Sequence, residues 1–229
     1  MFKWLKWLIT AAVAAVVLFN VYAYGAMLFW RGVGPESTAF MRERMSVLKA
    51  EDPDVVLKYQ WRPYDELSSN LKHALIASED ASFLRHDGFD WNGIRYAMRR
   101  NEKNGEVKAG GSTITQQLVK NLFLWEARSY VRKGEEAWLT LLLEGSTDKK
   151  RIYEIYLNVI EWGHGVYGAE AASQYYFKRS ADNLTKAQAA RLASMVTRPR
   201  FYDENRKSRA LSNKTNIINR RMNAVTVPK

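Results

Sequence analysis

Two adjacent acids, Glu79 and Asp80, open the stretch Glu79-Asp80-Ala81-Ser82-Phe83-Leu84-Arg85-His86-Asp87-Gly88. A carboxylate fixed at the edge of a core can serve as a general base, because its position and its basicity are both set by the surroundings. The residues before it supply such a support. Leu71, Ala74, Leu75 and Ala77 or Ser78 recur at helical spacing, which predicts a helix with a buried face that ends at the acids. A solvated acidic pair at a helix end is the plainer reading of the same residues.

Cations follow. In the run Gly110-Gly111-Ser112-Thr113-Ile114-Thr115-Gln116-Gln117-Leu118-Val119-Lys120-Asn121, Thr113 and Gln116 have capping-box spacing. Ile114, Leu118 and Leu122 form the expected buried stripe. Thr113, Gln116 or Gln117, and Lys120 share another face. Free amides at such a helix start, beside a lysine, suit a phosphate; a capped helix with a polar outer face needs no ligand. Further on, Arg128, Arg132 and Glu136 repeat at i, i+4, i+8. That stripe is either a binding surface with two guanidinium groups or an i, i+4 salt bridge, worth about 0.3 to 0.5 kcal/mol if exposed.

The elements that must hold these groups read as mostly helical. Trp91 to Asn104 predicts a helix stopped by Gly105, and Lys149 to Val159 one with Ile152, Ile155, Tyr156 and Val159 on a stripe. Thr185 with Gln188 opens another. Val55 to Trp61 alternates weakly, as a short strand ended by Pro63 does. The domain division expected is an anchor at 1–31, a juxtamembrane entry segment at 32–54 and a catalytic domain at 55–229. The entry segment suits either a short amphipathic helix on a membrane or an ordinary linker helix. The basic stretch Arg206 to Arg221, interleaved with Leu211, Ile217 and Ile218, suits either contact with anionic lipid or a C-terminal packing helix.

The anchor rests on Trp7 to Trp30, which carries no charge and is long enough to span a bilayer core of about 20 residues. Lys3 and Lys6 before it and Arg31 after it favour an N-terminus in the cytoplasm and a domain outside. A cleaved signal peptide is the rival, but the apolar run continues well beyond the small residues at Ala11 to Ala15. The chain has 229 residues, 35 Lys plus Arg against 24 acids, a net charge of +11 and no cysteine. The charge calls for an anionic partner, and beside a membrane the partners at hand are phospholipid head groups and lipid-linked phosphates. No nucleic-acid motif is present. Thiolate chemistry and disulfides are excluded.

Five ordered stretches together resemble the monofunctional biosynthetic peptidoglycan transglycosylases, and the glycosyltransferase domains of class A penicillin-binding proteins. They are Glu79-Asp80 with Phe83, His86 and Gly88; Gly110 to Asn121; Arg132-Lys133 with Glu136; Lys150-Arg151-Ile152-Tyr153-Glu154-Ile155-Tyr156-Leu157-Asn158; and Gly165-Val166-Tyr167-Gly168-Ala169-Glu170-Ala171-Ala172. The resemblance covers roughly residues 36 to 200. It implies a lysozyme-like helical domain on the outer face of the bacterial inner membrane. Its substrates would be lipid II and a growing lipid-linked glycan strand, with cell-wall synthesis proteins as partners.

By that resemblance Glu79 takes the proton from an acceptor sugar hydroxyl and Glu136 assists in the donor site. Lys120, Arg128, Arg132 and Lys133 become candidates for diphosphate and sugar recognition, and Ser112, Thr113, Gln117 and Asn121 for hydrogen bonds. The chemistry asks for this kit independently. A departing diphosphate is already a stable anion and needs positive charge around it, whereas the attacking hydroxyl needs a base. A divalent cation, Mg or Mn, bridging the diphosphate to Asp80 or Glu136 stays open. His73, His86 and His164 have no metal-ligand spacing, and His86 is read as orienting its loop. The rival readings are a lytic or lysozyme-like glycan hydrolase and a non-catalytic membrane-anchored scaffold.

Overall fold

The computed structural model describes residues 3–104, 111–127 and 129–229. Its elements in chain order are α1 (Lys3–Phe29), α2 (Ala39–Glu51), β1 (Lys58–Tyr59), α3 (Ser69–Glu79), α4 (Trp91–Asn104), α5 (Ile114–Phe123) and α6 (Tyr130–Ser146). Then come α7 (Lys149–Val159), β2 (Glu161–Gly163), β3 (Val166–Tyr167), α8 (Ala169–Phe177), α9 (Lys186–Met195), α10 (Pro199–Glu204) and α11 (Arg209–Arg221). The fold is mainly helical, as expected. The small sheet runs β1-β3-β2, with β1 parallel and β2 antiparallel to β3.

Local signals set most helix starts. Thr113 and Thr185 form complete capping boxes with Gln116 and Gln188, and Ser68, Ser129, Asp148 and Ser208 each cap a helix through their side chains. Gly105, expected to stop α4, lies outside the described residues.

α7 is the centre of the body. Its Ile152, Tyr153, Ile155, Tyr156, Leu157 and Val159 are all buried. Tyr153 meets Phe83 at 5.6 Å between ring centroids and donates its hydroxyl to Lys72 O on α3 at 2.6 Å. The rest of the fourth stretch clamps the chain that enters the domain. The Asn158 amide pairs with the backbone of Arg62 through both its groups, at 2.8 Å each, and Glu154 Oε1 accepts from Tyr64 N at 2.7 Å. Arg151 donates to Trp30 O and Val33 O at 2.7 and 2.6 Å.

α1 is the one described helix long and apolar enough to cross a membrane. Its last turns are not free. Ala23 and Met27 are buried, α1 packs on α6, and Asn20 Nδ2 donates to Glu135 Oε1 at 3.0 Å. Trp30 stacks on Phe123 of α5 at 5.5 Å. α2 packs on α5 with Met41 buried, which makes the entry segment a wall of the catalytic body. α11 packs on α9 and α3 through Leu211 and Ile218, the packing-helix alternative for the basic stretch.

Gly88 joins the first motif to α6. Its φ is +88°, and an added Cβ would come within 2.6 Å of Thr140 Cγ2. Strain at such a φ costs about 1 to 3 kcal/mol, and overpacking a similar amount. Gly88→Ala is therefore expected to lose about 2 to 4 kcal/mol, read as a lower thermal midpoint of the purified chain.

Candidate active site

Glu79 is the last residue of α3, with Asp80 as C-cap. Leu71, Ala74 and Leu75 are buried as expected, while Ile76 rather than Ala77 or Ser78 completes the stripe. The Glu79 side chain is only 7 % exposed, and each of its oxygens has a partner. Oε1 accepts from Ser78 Oγ at 2.7 Å and lies 3.8 Å from Lys214 Nζ. Oε2 accepts a longer bond, 3.3 Å, from Gln117 Nε2. The Gln117 amide cannot turn over freely, because its Oε1 accepts from Tyr156 Oη at 2.9 Å. Complete burial pushes the Tyr156 phenol well above its ordinary range, which keeps that donor protonated.

Gln117 is the hinge of the site. Its side chain lines a cleft of about 390 Å³ with Lys120, Asn121, Phe40, Thr197, Arg198 and Arg200. Glu79 lines a neighbouring hollow of about 570 Å³ with Ser82, Arg85, Tyr96, Arg100, Ser112 and Thr113. The carboxylate thus stands at the wall between two hollows, and its hydrogen bond to Gln117 joins them.

Lys120 lies one turn beyond Gln117 on α5. Burial, together with Arg132 and Lys133 nearby, lowers its ammonium pKa, and Glu136 opposes that shift. Glu136 is 3 % exposed and is paired with Arg132 at 2.9 Å and with Lys133. Arg132 also donates through Nε to Ala127 O at 3.0 Å, fixing the chain that leads into α6. The i, i+4 pair read from the sequence is therefore buried. Arg128, the first member of that stripe, lies outside the described residues.

Several expected ligand-binding residues are occupied in holding the site together. Asp80 accepts from His86 Nε2 at 3.1 Å and from the Ile114 amide at 3.1 Å. Thr113 Oγ1 donates to Gly88 O at 2.7 Å and accepts from Gln116 N at 3.2 Å. At the start of α5 the Ile114 and Gln116 amides are consequently taken by the protein's own groups. The cations gather instead at the other end of α5, around Lys120. Asn121 Nδ2 donates to Gln117 O at 2.8 Å, within the same helix. Ser112 stays exposed at the mouth of the Glu79 hollow.

Asp80 and Glu136, the carboxylates left open for a divalent cation, have their oxygens taken by His86, Ile114, Arg132 and Lys133.

Sequence reasoning missed Phe40, Arg198, Arg200 and Lys214. Arg200 is paired with Glu161 at 2.9 Å and Glu126 at 2.6 Å in the wall of the cleft. Only the bare charge of Arg198-Pro199-Arg200 hinted at it. Lys214 was visible merely as one more cation of the basic stretch.

The family model for transglycosylases matches residues 47–223, which include every element of this site from α3 to α11. The chain belongs to the transglycosylase family. Relatives bear this out at full length. A biosynthetic peptidoglycan transglycosylase of Neisseria gonorrhoeae is 55 % identical over 229 residues, covering all of this chain and 98 % of the relative. One from Neisseria meningitidis serogroup B is also 55 % identical, over the same shares. One from Chromobacterium violaceum is 53 % identical over 221 residues, covering 96 % of this chain and 97 % of the relative. The lysozyme-like helical body of this transglycosylase thus includes Glu79, at the end of α3.

Proposed function

We propose that this transglycosylase polymerises peptidoglycan glycan strands, using lipid II and a growing lipid-linked strand, with its catalytic domain on the outer face of the inner membrane. The observation that carries the reading is the bond from Gln117 to Glu79, which joins a buried base to a cation-lined cleft. The donor's diphosphate would lie in the cleft beside Lys120, where desolvation strengthens the attraction between charges. The acceptor sugar would enter from the hollow of Ser112 and Tyr96.

Glu79 Oε2, held by one long hydrogen bond, takes the proton of the acceptor hydroxyl. The hydroxyl oxygen bonds to the anomeric carbon as the bond from that carbon to the diphosphate breaks. Attack opposite the leaving group inverts the centre, and the lipid diphosphate departs as an anion. Glu136 acts at a distance, by holding Arg132 and Lys133 and offsetting the crowded positive charge around Lys120.

Incubating the purified chain with lipid II, and separately with finished glycan, tests this. Strand growth from the first is expected. Soluble fragments released from the second would instead mark a hydrolase, and inertness toward both a scaffold. Lys120→Ala is expected to lower kcat/KM for lipid II about 10- to 100-fold, since a charge-assisted contact contributes roughly 1.5 to 3 kcal/mol. Unchanged initial rates across a lipid II titration would remove Lys120 from the diphosphate site.

A further inference from the structure

α11 carries a lysine where a helix ordinarily carries a hydrophobe. Leu211, Lys214 and Ile218 fall at i, i+3 and i+7, so Lys214 shares the stripe whose two apolar members are buried against α9 and α3. Other cations of that segment, Lys207, Arg209, Arg220 and Arg221, are exposed. Lys214 alone among these turns inward. Its ammonium lies 3.0 Å from Thr197 Oγ1 and 3.8 Å from Glu79 Oε1. Placing a charge on a packing face is costly unless a partner compensates it. The compensation here is Glu79, whose only ion-pair partner among the described residues is Lys214.

We propose that Lys214 is a positioning residue for the Glu79 carboxylate. With the Ser78 hydroxyl it holds Oε1 toward α11, which leaves Oε2 turned to Gln117 and the cleft. Removing rotational freedom from a base keeps it in attack geometry, and small displacements of such groups cost large factors in rate. The 3.8 Å separation also matters. Lys214 balances the negative charge while remaining bonded to Thr197, so Glu79 can receive a proton without leaving the lysine unpartnered. Burial lowers the Lys214 ammonium pKa and the Glu79 charge opposes that shift. The C-terminal helix, remote in sequence from every motif, thereby becomes part of the catalytic apparatus.

The inference rests on Glu79 being the base, and the test separates the two. Full-length Lys214→Met, Lys214→Gln and Lys214→Arg are assayed with lipid II for kcat and KM, alone and combined with Glu79→Gln, with thermal midpoints measured alongside. Lys214→Met and Lys214→Gln are expected to lower kcat about 10-fold or more with KM within about twofold of the parent, and Lys214→Arg to recover most of the loss. In the Glu79→Gln background, Lys214→Met should change the residual rate no further, because the group it serves is already gone. The proposal is overturned by a kcat within about twofold of the parent in the neutral variants, or by a loss confined to KM. It is equally overturned by a loss that arginine does not recover, or by an undiminished further loss in the Glu79→Gln background. Substantial activity in Glu79→Gln itself sinks the base assignment. Loss there with full activity in Lys214→Met sinks this inference alone.

Discussion

Glu79→Gln is expected to reduce lipid II polymerisation by a factor of about 100 to 10,000 while the chain keeps its fold. The amide is nearly isosteric and can still accept from Gln117, and Lys214, 27 % exposed and bonded to Thr197, keeps a partner and solvent when its carboxylate is lost. What disappears is the capacity to take a proton. The loss should appear in kcat, with lipid II binding little changed, because Glu79 holds no part of the diphosphate in the proposed arrangement. Polymerisation within tenfold of the parent, measured on protein with an unchanged thermal midpoint, would show that another group is the base.

Glu136→Gln should fail differently. This carboxylate is 3 % exposed and balances Arg132, whose side chain is 10 % exposed. Removing one member of a buried pair leaves the other charge uncompensated, at a cost of about 3 to 5 kcal/mol. Lys133, half exposed, can turn to solvent and relieve little of it. The variant is therefore expected to unfold at lower temperature or denaturant and to lose activity as well. Denaturant titration of both glutamine variants side by side separates the cases. A Glu136→Gln midpoint equal to the parent's would mean that the pair adds nothing to stability.

The contrast shows what residue spacing reveals. The Thr113 and Thr185 capping boxes, the α7 stripe and the end of α3 at Glu79 depend on interactions within a few residues, and the pattern announces them. The bundling of Arg132 with Glu136 was legible for the same reason, although its burial was not. Asp80 shows where local reading stops. It sits beside the base in the first motif and reads there as a substrate-binding acid or one end of a cation bridge. Only the approach of the Ile114 amide, 34 residues on, shows that its carboxylate locks α5 to the loop. Arg200 and Lys214 depend on the docking of α10 and α11 against elements far away in the chain. Nothing in the spacing of α10 records that Arg200 faces the cleft, and the spacing of Leu211, Lys214 and Ile218 turns Lys214 inward without recording that it meets Glu79.

The attachment of α1 to α6 sets a depth. From Lys3 to Phe19, ahead of the Asn20 contact with Glu135, a helix rising about 1.5 Å per residue covers only about 25 Å, whereas the hydrocarbon layer is about 30 Å thick. A spanning α1 must draw on the turns already seated against α6 to cross the remainder. The exposed Trp138 and Leu141 of α6 then meet the upper acyl chains. With α1 spanning, the body would ride partly sunk in the lipid at the tilt its seat on α6 imposes, and on the proposed reaction Glu79 would meet each sugar unit at the level where its lipid carrier surfaces.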